Sequence, residues 1–468
     1  MFRKIKAIHF VGIGGSGMSG IAEVVLHSGY TVTGSDVAAN TAIERLKSLG
    51  ARIYVGHNPE NILGAEVIVT STAIQADNPE VVAARYRNIP IIPRAEMLAE
   101  IMRMKYGIAV AGAHGKTSTT SMLALILSDS GLDPTVIIGG RLNSFDSNAR
   151  LGKGPLMVAE ADESDGSFLK LSPTISIVTN LDEEHLDFYQ GGMPQIEETF
   201  LAFMNKVPFF GLVVLCTDDP RLAQLRSRVT RKVVTYGLQG GSDISAANIR
   251  STGFGMSFEL MVRGSGLGPV ELQVPGLHNV QNSLAAIAVG LEFDVPMEKI
   301  REALFKFTGA DRRFHRIGEA RGRLIFDDYA HHPTEIKATL AAARLCQPKR
   351  LVAIFQPHRY TRFRNCWQGF KSALLDADHV VVVPVYPAGE QPLAGITAQA
   401  FFEELAETHP SCSYCDPLDS LASHLEQHSA PGDLILGLGA GSISQAVRKA
   451  CDQLAKTQPG PVAGEVAP

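Results

Sequence analysis

The sequence has no excess of basic residues. Its 43 Lys and Arg stand against 48 Asp and Glu, a net charge of -5 with a pI near 6.3. That is too little positive charge to neutralise a run of nucleic-acid phosphates, although a local basic cluster is enough for a small phosphorylated ligand. Cysteine is also sparse. Six scattered over 468 residues make no disulfide framework and fit a reducing compartment. Cys412-Ser413-Tyr414-Cys415 has metal or redox spacing, but it has no second pair and no histidine in ligand register. No stretch approaches the ~20 apolar residues of a membrane span. Arg3, Lys4 and Lys6 precede an apolar run, as in a secretory signal, but the run breaks after Val11 into Gly12-Ile13-Gly14-Gly15-Ser16-Gly17, too early for a signal core. No internal repeat is present. A soluble cytoplasmic protein with no nucleic-acid or membrane partner is expected.

What is present is the composition of a globular chain, 45% hydrophobic with 44 glycines, at a length that calls for two to four domains. Strand-like runs at 8–11, 30–34, 52–55, 67–71 and 89–93 alternate with helical patterns at 19–28 and 41–49, which predicts a parallel sheet of βα units over 1–106. A second α/β pattern occupies 107–318. Its strands are expected at 107–112, 136–139, 156–160, 175–180, 212–216 and 233–236, followed by period-two alternation from 244 to 275 that reads as an antiparallel insert. Helices are expected at 280–291 and 297–305. A third open α/β unit is expected over 319–456, with strands at 324–326, 351–355, 380–385 and 434–438. A disordered tail is expected at 457–468. The fold class is therefore α/β in three domains, Rossmann-like at both ends with a phosphate-loop ATPase type between them.

Gly112-x-x-Gly115-Lys116-Thr117 follows a strand and opens a helix. Glycines there let backbone N–H groups face phosphate, Lys116 adds a full charge, and Thr117 can ligate Mg²⁺. The usual GxxxxGK[ST] spacing needs glycine at 110, where this chain has Val110; an ordinary glycine-rich turn is the alternative. Gly12-x-Gly14-x-x-Gly17 also follows a strand, with Asp36 at the end of the next one. It suits a nicotinamide dinucleotide, another nucleotide diphosphate, or close helix–strand packing alone. Glu160-Ala161-Asp162-Glu163-Ser164-Asp165 and Asn180-Leu181-Asp182-Glu183-Glu184-His185-Leu186-Asp187 end two strands of the middle segment. Carboxylates at that end of a sheet can hold Mg²⁺ beside a triphosphate, with Glu160 and His185 the chosen ligands, whereas most of the others fit helix capping.

His278-Asn279-x-x-Asn282 opens a helix, where asparagine either reads an adenine edge or caps. Asp327-Asp328-Tyr329-Ala330-His331-His332-Pro333 and Phe355-Gln356-Pro357-His358-Arg359-Tyr360-Thr361-Arg362 each follow a strand of the third segment. Arginines so placed suit a carboxylate or phosphate. Arg312-Arg313 lies at the joint before that segment, and a cleft shared by all three clusters is expected.

In their order and together these stretches, with Gly439–Ile443, resemble the Mur ligase family over nearly the whole chain. The resemblance implies an ATP-dependent amide ligase of peptidoglycan precursor synthesis. It would add L-alanine to the carboxylate of UDP-N-acetylmuramate through an acyl phosphate. It further implies that Gly14, Ser16 and Gly17, with Asp36 and Ser71, meet the UDP sugar. Gly112, His114, Gly115, Lys116, Thr117 and Ser118 would hold the ATP phosphates, with Mg²⁺ on Thr117, Glu160 and His185. Lys116, Glu160 and His185 would carry the catalysis. His278, Asn282, Arg313 and Asp328 would hold adenine and ribose. Tyr329, His331 and His358 would line the amino-acid site, and Arg359 and Arg362 would take its carboxylate. A monomer or weak homodimer is implied.

Two departures stand out. Ala113 replaces a threonine usual in the family's loop, and Lys206, the nearest downstream lysine, has no evident equivalence to the carbamylated lysine of some relatives. The alternatives are a recycling ligase that attaches a tripeptide to the same sugar nucleotide, a nicotinamide-dependent oxidoreductase using the first glycine loop, and a phosphate-loop ATPase without ligase activity. The oxidoreductase leaves Lys116, Thr117 and both acidic stretches unused.

Overall fold

A computed structural model describes residues 4–71, 73–142 and 147–456; the side chains of Ser16 and of 140–148 lie outside the description, as does the tail expected at 457–468. Among the described residues the strands form three sheets.

The first sheet contains β1 (Ala7–Val11), β2 (Thr31–Asp36), β3 (Arg52–Val55), β4 (Val67–Thr70) and β5 (Ile91–Pro93) in the order β3-β2-β1-β4-β5. Every neighbouring pair is parallel. The chain therefore reverses direction of build at β1/β4, and such a switch opens a crevice at the carboxyl ends of the strands. The short helices Pro79–Tyr86 and Arg94–Met102 were not anticipated. Asn78 and Pro79 are a capping residue and a first-turn proline, which was the signal available for the first of them.

The second sheet contains β6 (Tyr106–Ala111), β7 (Thr135–Leu142), β8 (Ser147–Arg150), β9 (Leu156–Glu160), β10 (Ile175–Val178), β11 (Leu212–Cys216), β12 (Val233–Gly237), β13 (Ile244–Ser251), β14 (Met256–Val262) and β15 (Ser265–Leu272). Its order is β15-β14-β13-β12-β11-β10-β6-β9-β7-β8. The segment expected to be an insert continues this sheet, because β13 pairs parallel to β12 at Tyr236↔Ile244. β6 lies between β9 and β10, parallel to both, and β6, β9 and β10 are buried almost end to end. Their carboxyl ends thus deliver three loops to one place.

The third sheet contains β16 (His315–Ala320), β17 (Arg323–Asp328), β18 (Arg350–Phe355), β19 (His379–Val382), β20 (Cys412–Tyr414) and β21 (Asp433–Leu438), in the order β16-β17-β21-β18-β19-β20. Only β16 runs antiparallel. Its sequence, His-Arg-Ile-Gly-Glu-Ala, has no apolar run, and so the sheet begins inside the stretch assigned to the central domain from the sequence. The apolar residues of β17, β18, β19 and β21 alternate between two cores, one around Phe355, Phe363, Phe370 and Phe401, the other around Ile354, Val381, Ile435 and Val447.

By contacts the chain divides into two compact units. Residues 1–249, 257–272 and 279–310 form one, and residues 250–256, 273–278 and those from Asp311 onward form the other.

Candidate active site

In the first unit the glycine loop after β1 is held by β2. The Gly12 and Ile13 amides donate to the Ser35 carbonyl at 2.8 and 3.0 Å. The Gly14 amide donates to Asp36 Oδ2 at 2.8 Å, and the Asn40 amide group donates to the Gly14 carbonyl at 3.1 Å. Asp36 Oδ1 accepts the Val37 amide at 2.8 Å, so this carboxylate braces the loop with both oxygens. Ser71, after β4, accepts the Ile74 amide through its carbonyl, and its hydroxyl lies 4.0 Å from where a Gly12 side chain would start. The helix Ser16–His27 opens without a side-chain cap. Any side chain on Gly17 would collide with the guanidinium of Arg94, which donates to Asp162 Oδ2 at 2.7 Å. Burial opposes ionisation of Asp162, but hydrogen bonding from Ser164 and the charge of Arg94 outweigh it and hold the carboxyl down at about 2. Arg94 was not singled out in the sequence; it is the cation that the N-terminal loop lacks.

The phosphate loop follows β6. Gly112 has φ +134°, and a Cβ there would overlap the Thr179 hydroxyl. Gly115 has φ +83°, and a Cβ there would lie 2.6 Å from Asn282 Oδ1. Both glycines are required by the backbone and by their neighbours. Thr179 and Asn180, just beyond β10, clamp the loop. Thr179 Oγ1 donates to the His114 carbonyl at 2.6 Å, and Asn180 Oδ1 accepts the His114 amide at 2.8 Å. His114 Nε2 lies 2.8 Å from Asp182 Oδ2. Asn282 lies beside Gly115 and accepts from the Thr119 hydroxyl at 3.3 Å. The helix Lys116–Asp129 starts at Gly115 with no side-chain cap and buries Ser118 behind the loop, the kind of helix start whose first amides can receive an anion.

Lys116 Nζ donates to the carbonyls of Gly112 and Ala113 at 2.5 and 3.0 Å, and to Glu163 Oε1 at 2.8 Å. Burial pushes Glu163 up to about 7 against the pull of Lys116. Burial works to lower Lys116, yet the charge of Glu163 prevails and holds it above the ordinary lysine range, so it keeps its proton.

Ligand atoms of Glu163, Glu184 and His185 lie within 4.8 Å of one another. His185 adopts φ +55°, and its Nε2 is 3.7 Å from Glu184 Oε2. The grouping brings His185 to two carboxylates from the acidic stretches, Glu163 and Glu184. Glu160 ends β9, with Oε2 2.8 Å from where a Gly139 side chain would start. Lys206 donates to the Leu169 carbonyl.

In the second unit, Tyr329, His331, His358, Arg359 and Arg362 come together beyond β17 and β18. The Tyr329 and His331 rings are 5.2 Å apart, His331 and His358 5.9 Å, and His358 stacks on Tyr386 at 5.5 Å. Arg362 Nη1 lies 3.3 Å from His358 Nδ1. Burial, with His331 and the two arginines, pushes His358 down to about 4, so its ring is neutral at pH 7. Arg359, at φ +67°, gives its Nε to Glu390 Oε1 at 2.6 Å, and the same carboxylate caps Thr361 through amide and hydroxyl. The two arginines are therefore unequal, since Arg359 already faces a carboxylate. Glu390 and Tyr386 lie far along the chain and carried no motif.

His278, Arg313 and Asp328 form a neighbouring group in this unit. Burial and the Arg313 charge push His278 down to about 4. Arg313 pairs with Glu335 at 3.2 Å and lies over the Tyr329 ring. Asp328 accepts the Phe314 and Ala330 amides, both at 2.7 Å, and burial raises it to about 6. His278 and Asn282, expected to act together, belong to different units.

A Rossmann-like sheet with a glycine loop, a sheet bearing a phosphate loop, and a third sheet parallel but for its edge strand β16 define a three-domain α/β ligase architecture. Residues 7–106 match the Mur ligase family catalytic domain, 110–290 the Mur ligase middle domain, and 312–441 the Mur ligase glutamate ligase domain. The chain belongs to the Mur ligase family. It is 54% identical over 447 residues to the UDP-N-acetylmuramate–L-alanine ligase of Geobacter sp. (strain M21), covering 95% of this chain and 97% of that one. It is 53% identical to the enzyme of the same name from Geobacter sulfurreducens, with the same coverage. Among solved structures, the UDP-N-acetylmuramate-alanine ligase of Thermotoga maritima superposes with a TM-score of 0.82 at 30% identity, covering 96% and 99% of the two chains. A murein peptide ligase from Psychrobacter arcticus gives 0.71 at 25%, covering 97% and 100%.

Proposed function

We infer that this protein joins L-alanine to the lactyl carboxylate of UDP-N-acetylmuramate at the expense of ATP, a step of peptidoglycan precursor synthesis. The observation that carries this is the pairing of a braced phosphate loop with a separate amino-acid cluster, on a chain more than half identical to ligases of that name. The domains assigned are 1–106 for the sugar nucleotide, 107–318 for ATP and 319–456 for the amino acid. The protein acts in the cytoplasm as a monomer or weak homodimer, without nucleic acid or membrane.

Ser16 and Gly17 place backbone N–H groups on the UDP diphosphate, Gly14, whose own amide is held by Asp36, lets the backbone approach it closely, and Arg94 adds a charge beside Gly17. Lys116 and the amides of Gly115–Ser118 bind the β- and γ-phosphates of ATP, and Asn282 meets the adenine side of the loop. His278, Arg313 and Asp328 serve adenine and ribose. The muramyl carboxylate attacks the γ-phosphate to give an acyl phosphate and ADP, with Lys116 stabilising the charge on the equatorial oxygens. Thr117, Glu160 and His185 are assigned to Mg²⁺. Glu163 and Glu184, grouped with His185, supply the oxygen donors that such an ion prefers. When bound, Mg²⁺ supplies positive charge that offsets the triphosphate. Arg362 then holds the carboxylate of L-alanine while its amine attacks the acyl carbon and phosphate departs.

The test measures phosphate released with ATP, Mg²⁺, UDP-N-acetylmuramate and L-alanine, omitting each in turn. Release should require all four. Turnover indifferent to the sugar nucleotide or the amino acid would overturn the assignment. A tripeptide outperforming L-alanine would move the protein to the recycling ligases.

A further inference from the structure

The helix Pro79–Tyr86 carries a carboxylate that no substrate role accounts for. Glu80 is completely buried in the first unit, as are His9 of β1 and Ser35 of β2. A buried carboxylate is costly unless its oxygens are paired, and an apolar side chain of similar size often serves stability better. Both oxygens of Glu80 are paired. Oε2 accepts the Ser35 hydroxyl at 2.5 Å, with His57 Nδ1 at 3.3 Å and His9 Nε2 at 3.6 Å. Oε1 accepts Asn61 Nδ2 at 2.6 Å and the Asn58 amide at 3.3 Å. Burial opposes ionisation, but the pull of His9, Ser35 and Asn61 outweighs it and holds the carboxyl down at about 2.

Each oxygen leads to the glycine loop after β1 by a separate route. Through Oε2, Glu80 fixes the Ser35 hydroxyl, and the Ser35 carbonyl receives the Gly12 and Ile13 amides at 2.8 and 3.0 Å. Through Oε1 it fixes Asn61, whose Nδ2 also donates to the Gly56 carbonyl at 3.2 Å. The Gly56 amide donates to the Asp36 carbonyl at 2.7 Å, and Asp36 Oδ2 accepts the Gly14 amide at 2.8 Å. One carboxylate therefore sets both Ser35 and Asp36, the two residues from which Gly12, Ile13 and Gly14 hang.

We propose that Glu80 is a positioning residue for the sugar nucleotide: it touches no substrate, and through Ser35 and Asn61 it holds the glycine loop in the shape that receives the UDP diphosphate. The proposal rests on the ligase reading above. Glutamine at this position would present an N–H₂ group either to the Ser35 hydroxyl or to the Asn61 amide, so one route loses its acceptor whichever way the side chain turns.

The test uses the full-length protein and steady-state kinetics with each of the three substrates varied. Glu80→Gln should raise the KM for UDP-N-acetylmuramate roughly 5–150-fold, the span of energetic coupling between a site and a group that acts on it indirectly. kcat and the KM for ATP should stay within a few-fold of wild type. A purely structural role would lower the melting temperature and move both nucleotide constants together, because the phosphate loop belongs to the same unit. Ser35→Ala and Asn61→Ala each cut one route and should show the same split with smaller rises. Ser35→Ala combined with Glu80→Gln should raise the KM by less than the product of the two single effects, since both remove one shared interaction. An unchanged KM for UDP-N-acetylmuramate, equal rises for both nucleotides, or independent effects in the double variant would overturn the proposal. If Glu80→Gln does not fold, Ser35→Ala and Asn61→Ala decide it, and wild-type constants in both would overturn it as well. Wild-type protein without turnover contradicts the ligase reading, and this role with it.

Discussion

At the scale of single residues, the amino-acid cluster separates charges that look equivalent in the chain. Arg359 and Arg362 sit three apart, yet Arg359 is committed to Glu390 while Arg362 faces the neutral His358 ring. Arg362→Ala should therefore raise the KM for L-alanine roughly 10–150-fold, the value of one charge-assisted hydrogen bond, with a much smaller change in the KM for ATP. Arg359→Ala should act chiefly through the loop, because it frees Glu390. Steady-state kinetics with each substrate varied decides between them. Lys116→Ala should lower turnover by roughly 10²–10³-fold, as loss of a transition-state donor does; near-normal turnover would remove Lys116 from the phosphate site. At this scale the sequence was informative about which residue types gather and silent about pairing. Glu163 and Glu184 were in view as members of acidic stretches, but their approach to His185 depends on how two separate strands end. Arg94, Glu335 and Glu390 act through partners distant in sequence or across a helix turn, and no local pattern marks them.

At the scale of elements, the phosphate loop works because three adjacent parallel strands end together. β6 supplies the glycines, β9 leads to Asp162 and Glu163, and β10 leads to Thr179 and Asn180, which fasten the loop. Gly112→Ala would place a methyl group into the Thr179 hydroxyl at a φ that L residues avoid. It should raise the KM for ATP more than tenfold, by the arithmetic of about 1.4 kcal/mol per decade, and leave the KM for L-alanine near its starting value. The buried strands were legible because parallel strands covered on both faces read as continuous apolar runs. The elements that escaped are short or at edges: β20 spans three residues, β16 lacks an apolar run, and the helix Leu421–His428 carries only Leu421 and Leu425 in its buried face. The missing glycine at 110 is explained by position, since Val110 lies inside the buried strand β6 and the turn begins only at Gly112.

At the scale of the whole molecule, histidine couples stability to pH. His379, in β19, lies between the Ser411 and Ser413 hydroxyls and stacks on His428, which stacks on His424. Burial, with His428, Arg350, His424 and His409, lowers His379 from 6.5 to about 4. A histidine that stays neutral in the fold protonates first in the unfolded chain. Its contribution is therefore complete above pH 6.5 and is lost as pH falls toward 4. His278 and His358 act in the same sense. The melting temperature should fall between pH 7 and pH 5, and His379→Asn, though less stable at pH 7, should show a shallower fall; an equal slope would dissociate this cluster from the effect. The three-domain α/β class was legible from alternating patterns and ordered motifs, and the family match agrees with it. The division into two units was not, because segments 250–256 and 273–278 join the second unit from within the central stretch.

The central claim is that the carboxylate of UDP-N-acetylmuramate is activated by taking the γ-phosphoryl group of ATP before L-alanine arrives. Substrate labelled with oxygen-18 in that carboxylate tests it most directly, with the released phosphate analysed by mass. The account predicts phosphate that carries one oxygen from the carboxylate for each amide formed. Unlabelled phosphate accompanying full amide formation would contradict it.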